Sequence, residues 1–150
     1  GMRYLGIDPG KTGGVAYVDD AGKYDAWQIP ATERDTLDLF IELTLGEPGI
    51  LRAVIEKVAS RPGQGVASMF TFGQNYGMLR AFLVASFIPF EAVPPGTWQK
   101  EFALIDPSAT KTNKKNKHKA RAQELFPGIK ITHAIADALL IAEYCKRTAI

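Results

Sequence analysis

Three carboxylates stand where the neighbouring residues favour burial. Asp8 closes the apolar run "YLGID", Glu56 lies inside "AVIEKV", and Asp137 lies inside "HAIADALLIA". An ionised carboxylate in such a setting is costly unless it is paired or bound to a cation. Singly, each has an ordinary explanation: "DPG" is a common turn, a strand Glu can meet a Lys or Arg, and a helix Asp can sit near an edge. Together they ask for more, because three acids at one point repel one another and a divalent cation relieves that repulsion. Hard carboxylate oxygens suit Mg2+ or Mn2+. Two such ions about 4 Å apart can activate a water and stabilise the leaving oxygen in phosphodiester hydrolysis. His133 precedes Asp137 by four residues, so a helix puts both on one face. There His133 is a candidate metal ligand or proton-transfer group.

Elements able to position these groups are legible along the chain. "MRYLGID" reads as a strand followed by the Gly/Pro turn "DPGKTGG". "VAYVDD" and "KYDAWQIP" read as two more, joined by a hairpin at "AG", so three antiparallel strands open the protein. "TERDTLDLFIELTLG" is a helix, with Thr32 and Asp35 resembling a capping box and Gly46 at its stop. "ILRAVIEKV" is a β-branched apolar run suited to the sheet centre, with Glu56 on the face of Val54 and Val58. A long helical pattern runs from about Val66 to Phe87, and Gly73 and Gly77 in it would let another segment approach closely. "IPFEAV" is a last short strand, ended by Pro94-Pro95. A basic loop then leads into a helix at "HKARAQELFPG", and "THAIADALLIAEY" closes the chain as an amphipathic helix. The expectation is an α/β fold: a mixed five-stranded sheet flanked by helices, in the order βββαβαβαα. Two adjacent central strands would carry Asp8 and Glu56, and a helix crossing them would carry Asp137.

At 150 residues the chain fits a single domain with one sizeable core. Its 46% apolar and 23% charged residues are ordinary for a globular protein. No apolar run is long enough to span a bilayer, and no signal-peptide pattern follows Gly1, which reads as a residue added ahead of Met2. The single cysteine, Cys145, cannot form an internal disulfide, which fits a reducing, cytoplasmic compartment, and its place on the closing helix suggests packing. The net charge of +2 hides an asymmetry. "KTNKKNKHKAR", Lys111 to Arg121, holds six basic residues and no acid, leaving 12 basic against 16 acidic residues elsewhere. Such a segment is either a solvated loop or a contact for a polyanion, in which case Lys114, Lys115, Lys117 and Lys119 would meet phosphates.

The motifs "YLGIDPGKTGGVAY", "AVIEKV", "FGQNYG", "VPPGTWQK" and "HAIADALLIA" resemble, in order and over nearly the whole chain, those of RuvC-type Holliday junction resolvases, most closely the compact phage and bacterial versions. The resemblance implies an RNase H-like fold, a homodimer, and Mg2+- or Mn2+-dependent cutting of four-way DNA junctions. It implies that Asp8 and Glu56 are the first two metal carboxylates and Asp137 the last. The family commonly has a further acid three or four residues before the final Asp, where this chain has Ala134 and His133. Some members use His there, so the resemblance offers His133 as the replacement. Lys57 and Lys100 are candidates for holding the scissile phosphate or stabilising transition-state charge. Phe70 and Phe72 are candidates for stacking on unpaired bases, against the default of core or dimer packing.

Three rivals stand beside this reading. One is the related RNase H-like nuclease that processes ribosomal RNA precursors, which shares the "GIDPG" opening but fits "FGQNYG" and "VPPGTWQK" poorly. Another is a protein that binds branched DNA with weak or no cleavage, given Ala134 in place of an acid. The last is a nucleotide-binding half of actin-like or sugar-kinase type, for which 150 residues are too few.

Overall fold

The computed structural model describes residues 1–46, 49–58, 63 and 65–149. Strands β1 (Arg3–Asp8), β2 (Gly14–Asp19) and β3 (Tyr24–Gln28) form an antiparallel meander. The β2–β3 turn is held by the Asp19 carboxylate, which accepts from the N–H groups of Ala21 (2.9 Å) and Lys23 (2.7 Å), with Gly22 at φ +89°. Helix α1 (Glu33–Leu45) starts at Thr32, whose hydroxyl accepts from the Asp35 N–H, the cap expected from "TERD". Strand β4 (Ile50–Glu56) returns parallel to β1, and β5 (Phe90–Val93) adds parallel to β4 after helix α2 (Val66–Ala85). The sheet order is β3-β2-β1-β4-β5, so the strands bearing Asp8 and Glu56 are adjacent and interior. Helices α3 (Pro95–Glu101), α4 (Lys111–Leu125) and α5 (His133–Arg147) complete the chain. The mixed five-stranded sheet flanked by helices is therefore as the sequence implies.

Two elements differ from the expectation. The run from Lys111 is helical from its first residue, because Thr110 caps it by accepting from the Asn113 N–H at 3.1 Å. Its basic segment is thus a helix, where the reading of the sequence had a loop. Pro94-Pro95 does end β5, but Pro95 occupies the first turn of α3, where a missing N–H costs nothing.

Strand alternation divides the sheet into two faces. Leu5, Ile7, Val15, Ala53 and Ile55 pack with Leu39, Phe40 and Leu43 of α1 and Leu79 and Leu83 of α2. Ala16, Val18, Val54 and Val93 pack with α5, and with Trp98 of α3 and Ala122 of α4. On this second face α5 lies directly on the strands. A Cβ on Gly6 would stand 2.2 Å from the Ala142 nitrogen and 2.4 Å from the Ala138 oxygen, and one on Gly14 would stand 2.6 Å from the Ala134 oxygen. Only glycine admits a helix backbone so near a sheet. That contact sets the site, because Asp8 lies two residues beyond Gly6 on the same face and pairs with Gly14 in the sheet.

Candidate active site and metal centre

Asp8 and Asp137 face one small cavity of about 70 Å3, walled also by Thr12, Lys115, Ala136 and His133. The strand end brings Asp8, the second turn of α5 brings Asp137, and α4 brings Lys115. The Asp8 carboxylate accepts the Gly10 N–H at 3.1 Å, an Asx-type turn that the "DPG" sequence favours. Burial, then the negative charge of Asp137, push the Asp8 carboxyl up to about 6, against the opposing pull of the Gly10 N–H, His118 and Lys115. A carboxyl so raised marks a place where negative charge is crowded and poorly solvated.

Asp137 and Glu56 each have an inner partner. His118 projects inward from α4 and is 8% exposed, and its Nδ1 lies 2.9 Å from Asp137 Oδ1. Trp98 is fully buried, and its indole N–H donates to Glu56 Oε2 at 2.7 Å. The Trp98 and His118 rings meet edge-on with centroids 5.5 Å apart. Glu56 follows Ile55, which pairs with Ile7, so by register it lies beside Asp8 across the β1–β4 ladder. It does not wall the cavity that Asp8 and Asp137 share.

His133, at the first position of α5, walls the cavity as its helical phase with Asp137 implies. Its Nε2 lies 3.2 Å from Asn116 Oδ1, a contact that fixes the ring. Among the described residues no group of three or more His, Cys, Asp or Glu side chains converges closely enough to hold a metal ion as it stands. The donor set nevertheless suits a hard cation: two carboxylates crowd a pocket with an imidazole on its rim. Its volume matches about two waters at roughly 30 Å3 each.

The lysines separate into distinct settings. Lys115 reaches the acid cavity, so of the lysines in the basic segment it is the one placed beside the acids. Lys114 is exposed and Lys119 half-buried on α4, while Lys117 is engaged by an ion pair with Asp106 at 2.5 Å. That ammonium and the Ser108 hydroxyl and N–H hold the Asp106 carboxyl down at about 2. Lys57 is exposed just past β4. Lys100 is exposed in the last turn of α3 and does not wall the acid cavity. The cation that the cavity does contain is Lys115, a residue the sequence suggested only for phosphate contact.

Beyond the DPG turn lie two larger cavities, about 410 and 530 Å3, which share Pro9, Lys11 and Asn75. Phe72 is half-buried in the wall of the first, and Phe70 is 67% exposed on α2. Gly73 and Gly77 have open space where a side chain would be, so no segment among the described residues approaches them. Cys145 is buried, as expected, and burial pushes its thiol up to about 12.

Trp98, His118 and Thr12 are the site residues that reading the sequence missed. His118 carried a usable signal: on a helix it shares a face with Ala122 four residues on, the two buried positions of α4. Read as the first residue of the expected helix, His118 had no helical turn before it to show its inner face; the helix in fact begins at Lys111.

No family model matches the chain, and no curated protein matches it in sequence. Solved structures do match. RuvC from T. thermophilus in complex with Holliday junction substrate superimposes with a TM-score of 0.69 at 18% identity, over 95% of this chain and 91% of that one. A second structure of Thermus thermophilus RuvC gives a TM-score of 0.58 at 17% identity, over 94% and 91%. At these identities the likeness is one of fold, and the fold is that of RuvC.

Proposed function

We propose that this protein is a metal-dependent endonuclease that recognises four-way DNA junctions and hydrolyses a phosphodiester at each of two sites, working as a homodimer. The observation that carries the reading is the cavity where Asp8, Asp137, His133 and Lys115 meet, on a fold whose solved counterpart holds a Holliday junction.

Asp8, Asp137 and His133 would hold a divalent cation, and Glu56, beside Asp8 on the next strand, would hold a second. What Mg2+ or Mn2+ supplies when bound is an activated water and neutralisation of charge on the leaving oxygen. The chain's own groups do the rest. Lys115 projects a positive charge at the acids, where it can hold the scissile phosphate and offset charge that grows on it. Lys114 and Lys119 extend that charge along α4, and phosphate contacts of this kind position DNA without reading its sequence. The cavities beyond the DPG turn, with Lys11, Asn75 and the ring of Phe72, give room for nucleotides on the far side of the acids. Phe70 and the other apolar side chains on the outer face of α2 suit the second protomer or the unpaired bases at a junction centre.

His133 takes the ligand role in this reading. His133→Asp should therefore keep or raise activity with Mg2+, since carboxylate is the harder donor, while His133→Ala should weaken metal binding. A proton-transfer role would instead leave His133→Asp poor and remove the acidic limb of the pH–rate profile.

One observation favours a second reading, junction binding without cutting: among the described residues the acids do not converge into a ready cage. Incubation with labelled four-way, three-way and linear DNA, with and without Mg2+ or Mn2+, separates the two. Ion-dependent cutting of the four-way substrate supports the nuclease, and tight junction binding with intact strands under all ion conditions supports the binder.

A further inference from the structure

We infer that Trp98 and His118 are positioning residues: a buried clamp that holds Glu56 and Asp137 in the orientation that receives a divalent cation. The inference rests on the metal-dependent reading above and adds the parts that build its site.

The geometry departs from what a packing role alone would give. Trp98 and His118 come from different helices, α3 and α4, yet each directs a ring nitrogen at a different one of the acids, at 2.7 and 2.9 Å. The two rings also touch, edge to face, at 5.5 Å. One continuous path therefore runs Glu56–Trp98–His118–Asp137, closing behind the pair of acids from the interior side. Trp98 is 0% and His118 8% exposed, so each bond is shielded from water on its ring side. A carboxylate only accepts hydrogen bonds, and an indole only donates, so the Trp98 bond has one possible polarity. The His118 bond has the matching polarity when Nδ1 carries the proton.

Each bond engages one oxygen of its acid and so orients the plane of the carboxylate. Groups that hold metal-ligating side chains in this way typically contribute about 10–100-fold to metal affinity. The clamp also explains why a histidine sits inside the basic run. Lys111, Lys114 and Lys117 of α4 are exposed and His118 is buried, so one helix supports both a surface for polyanions and the backing of Asp137.

The test measures Mn2+ affinity from the electron paramagnetic resonance signal of the free ion, in the full chain without DNA. Trp98→Phe keeps the ring and deletes only the N–H. His118→Phe keeps a ring against Trp98 without a donor, and His118→Gln restores a donor. Trp98→Phe and His118→Phe should each weaken Mn2+ binding by about 10-fold or more, and His118→Gln should recover most of the loss. Four-way junction binding in EDTA should stay at the wild-type level in all three. Wild-type Mn2+ affinity in folded Trp98→Phe and His118→Phe would overturn the clamp and leave the metal reading standing, as would a His118→Gln no better than His118→Phe. A wild-type protein that binds no Mn2+ would overturn both. Should the variants fold poorly, a Trp27→Phe protein isolates the emission of Trp98. That emission should shift on adding Mg2+, and emission indifferent to Mg2+ at concentrations that support cutting would overturn the clamp.

Discussion

Helices α2 and α5 are both rich in apolar residues, and the sheet treats them in opposite ways. Of the 15 residues of α5, eight are buried, and its backbone rests on Gly6 and Gly14. Of the 20 residues of α2, only Leu79 and Leu83 are buried, and Val66, Phe70 and Val84 stand 80%, 67% and 65% exposed. Phe87, just past its end, is 92% exposed and holds a left-handed φ of 57°, a conformation that suits glycine. Apolar content alone does not say which way a helix faces. What separates them is the surface opposite: glycines in β1 and β2 let α5 rest on the strands, while most of α2 is left exposed among the described residues. The first arrangement fixes the walls of the acid cavity, and the second is the surface on which the proposed dimer would form.

The largest effects should come from the rigid side. Asp8→Asn and Asp137→Asn should each lower cleavage by at least about 10²–10³-fold, the scale of deleting one group that stabilises transition-state charge. Junction binding measured in EDTA should remain. Cutting by either variant at the wild-type rate would remove that residue from the site.

The same substitution tests the electrostatics. Below pH 4 the Asp8 carboxyl is protonated in folded and unfolded chains alike. Above about 6 it is ionised in both, and only the folded chain bears the cost of a crowded, buried charge. The metal-free protein should therefore lose stability as pH rises from 4 to 6, by on the order of 3 kcal/mol at about 1.4 kcal/mol per unit. Asp8→Asn should remove that loss, so urea unfolding in EDTA at pH 8 should find it more stable than wild type. Asp106, held down at about 2, contributes stability that is lost only as pH falls below about 4, outside this window. Mn2+ binding should weaken below pH 6, where a proton competes for Asp8.

Glycine substitutions compare the two helices directly. Gly6→Ala would force α5 away from β1 and should cost about 3 kcal/mol or more. Gly77→Ala meets open space in an exposed helix and should stabilise the monomer by about 0.5–1 kcal/mol. If α2 pairs with a second copy, the same change should weaken the dimer in light scattering. Unchanged dimerisation, together with unchanged dimerisation in Phe70→Ser, would move the association surface elsewhere.

Much of this was legible beforehand. The three acids could be singled out because each broke an apolar pattern, and strand adjacency followed from the length and β-branching of "ILRAVIE". The α1 cap and the hairpin turn both follow from local chemistry. What stayed hidden depended on partners distant in sequence. Trp98 reads as a core residue until Glu56, 42 positions away, is seen to accept its N–H. His118 was missed because it stood first in the expected helix, whereas Thr110 starts the helix at Lys111 and puts His118 on one buried face with Ala122. Lys115 differs from its neighbours only by helical phase, which a loop assignment erases.

The salt dependence of junction binding should show a smaller effect. Replacing Lys114 and Lys119 with Ala should flatten the log–log slope by up to about two, at roughly 0.9 per phosphate contact. Lys117→Ala should change it less, since its ammonium already pairs with Asp106.

The most direct measurement of the central claim maps the products of a labelled four-way junction treated with wild-type protein and with Asp8→Asn, each in Mg2+ and in EDTA. The expected result is a pair of symmetry-related nicks from the wild type in Mg2+ alone, with Asp8→Asn bound to the junction and every strand intact. Nicks that persist in EDTA, or that Asp8→Asn makes at the wild-type rate, would contradict the assignment of chemistry to the cavity between β1 and α5.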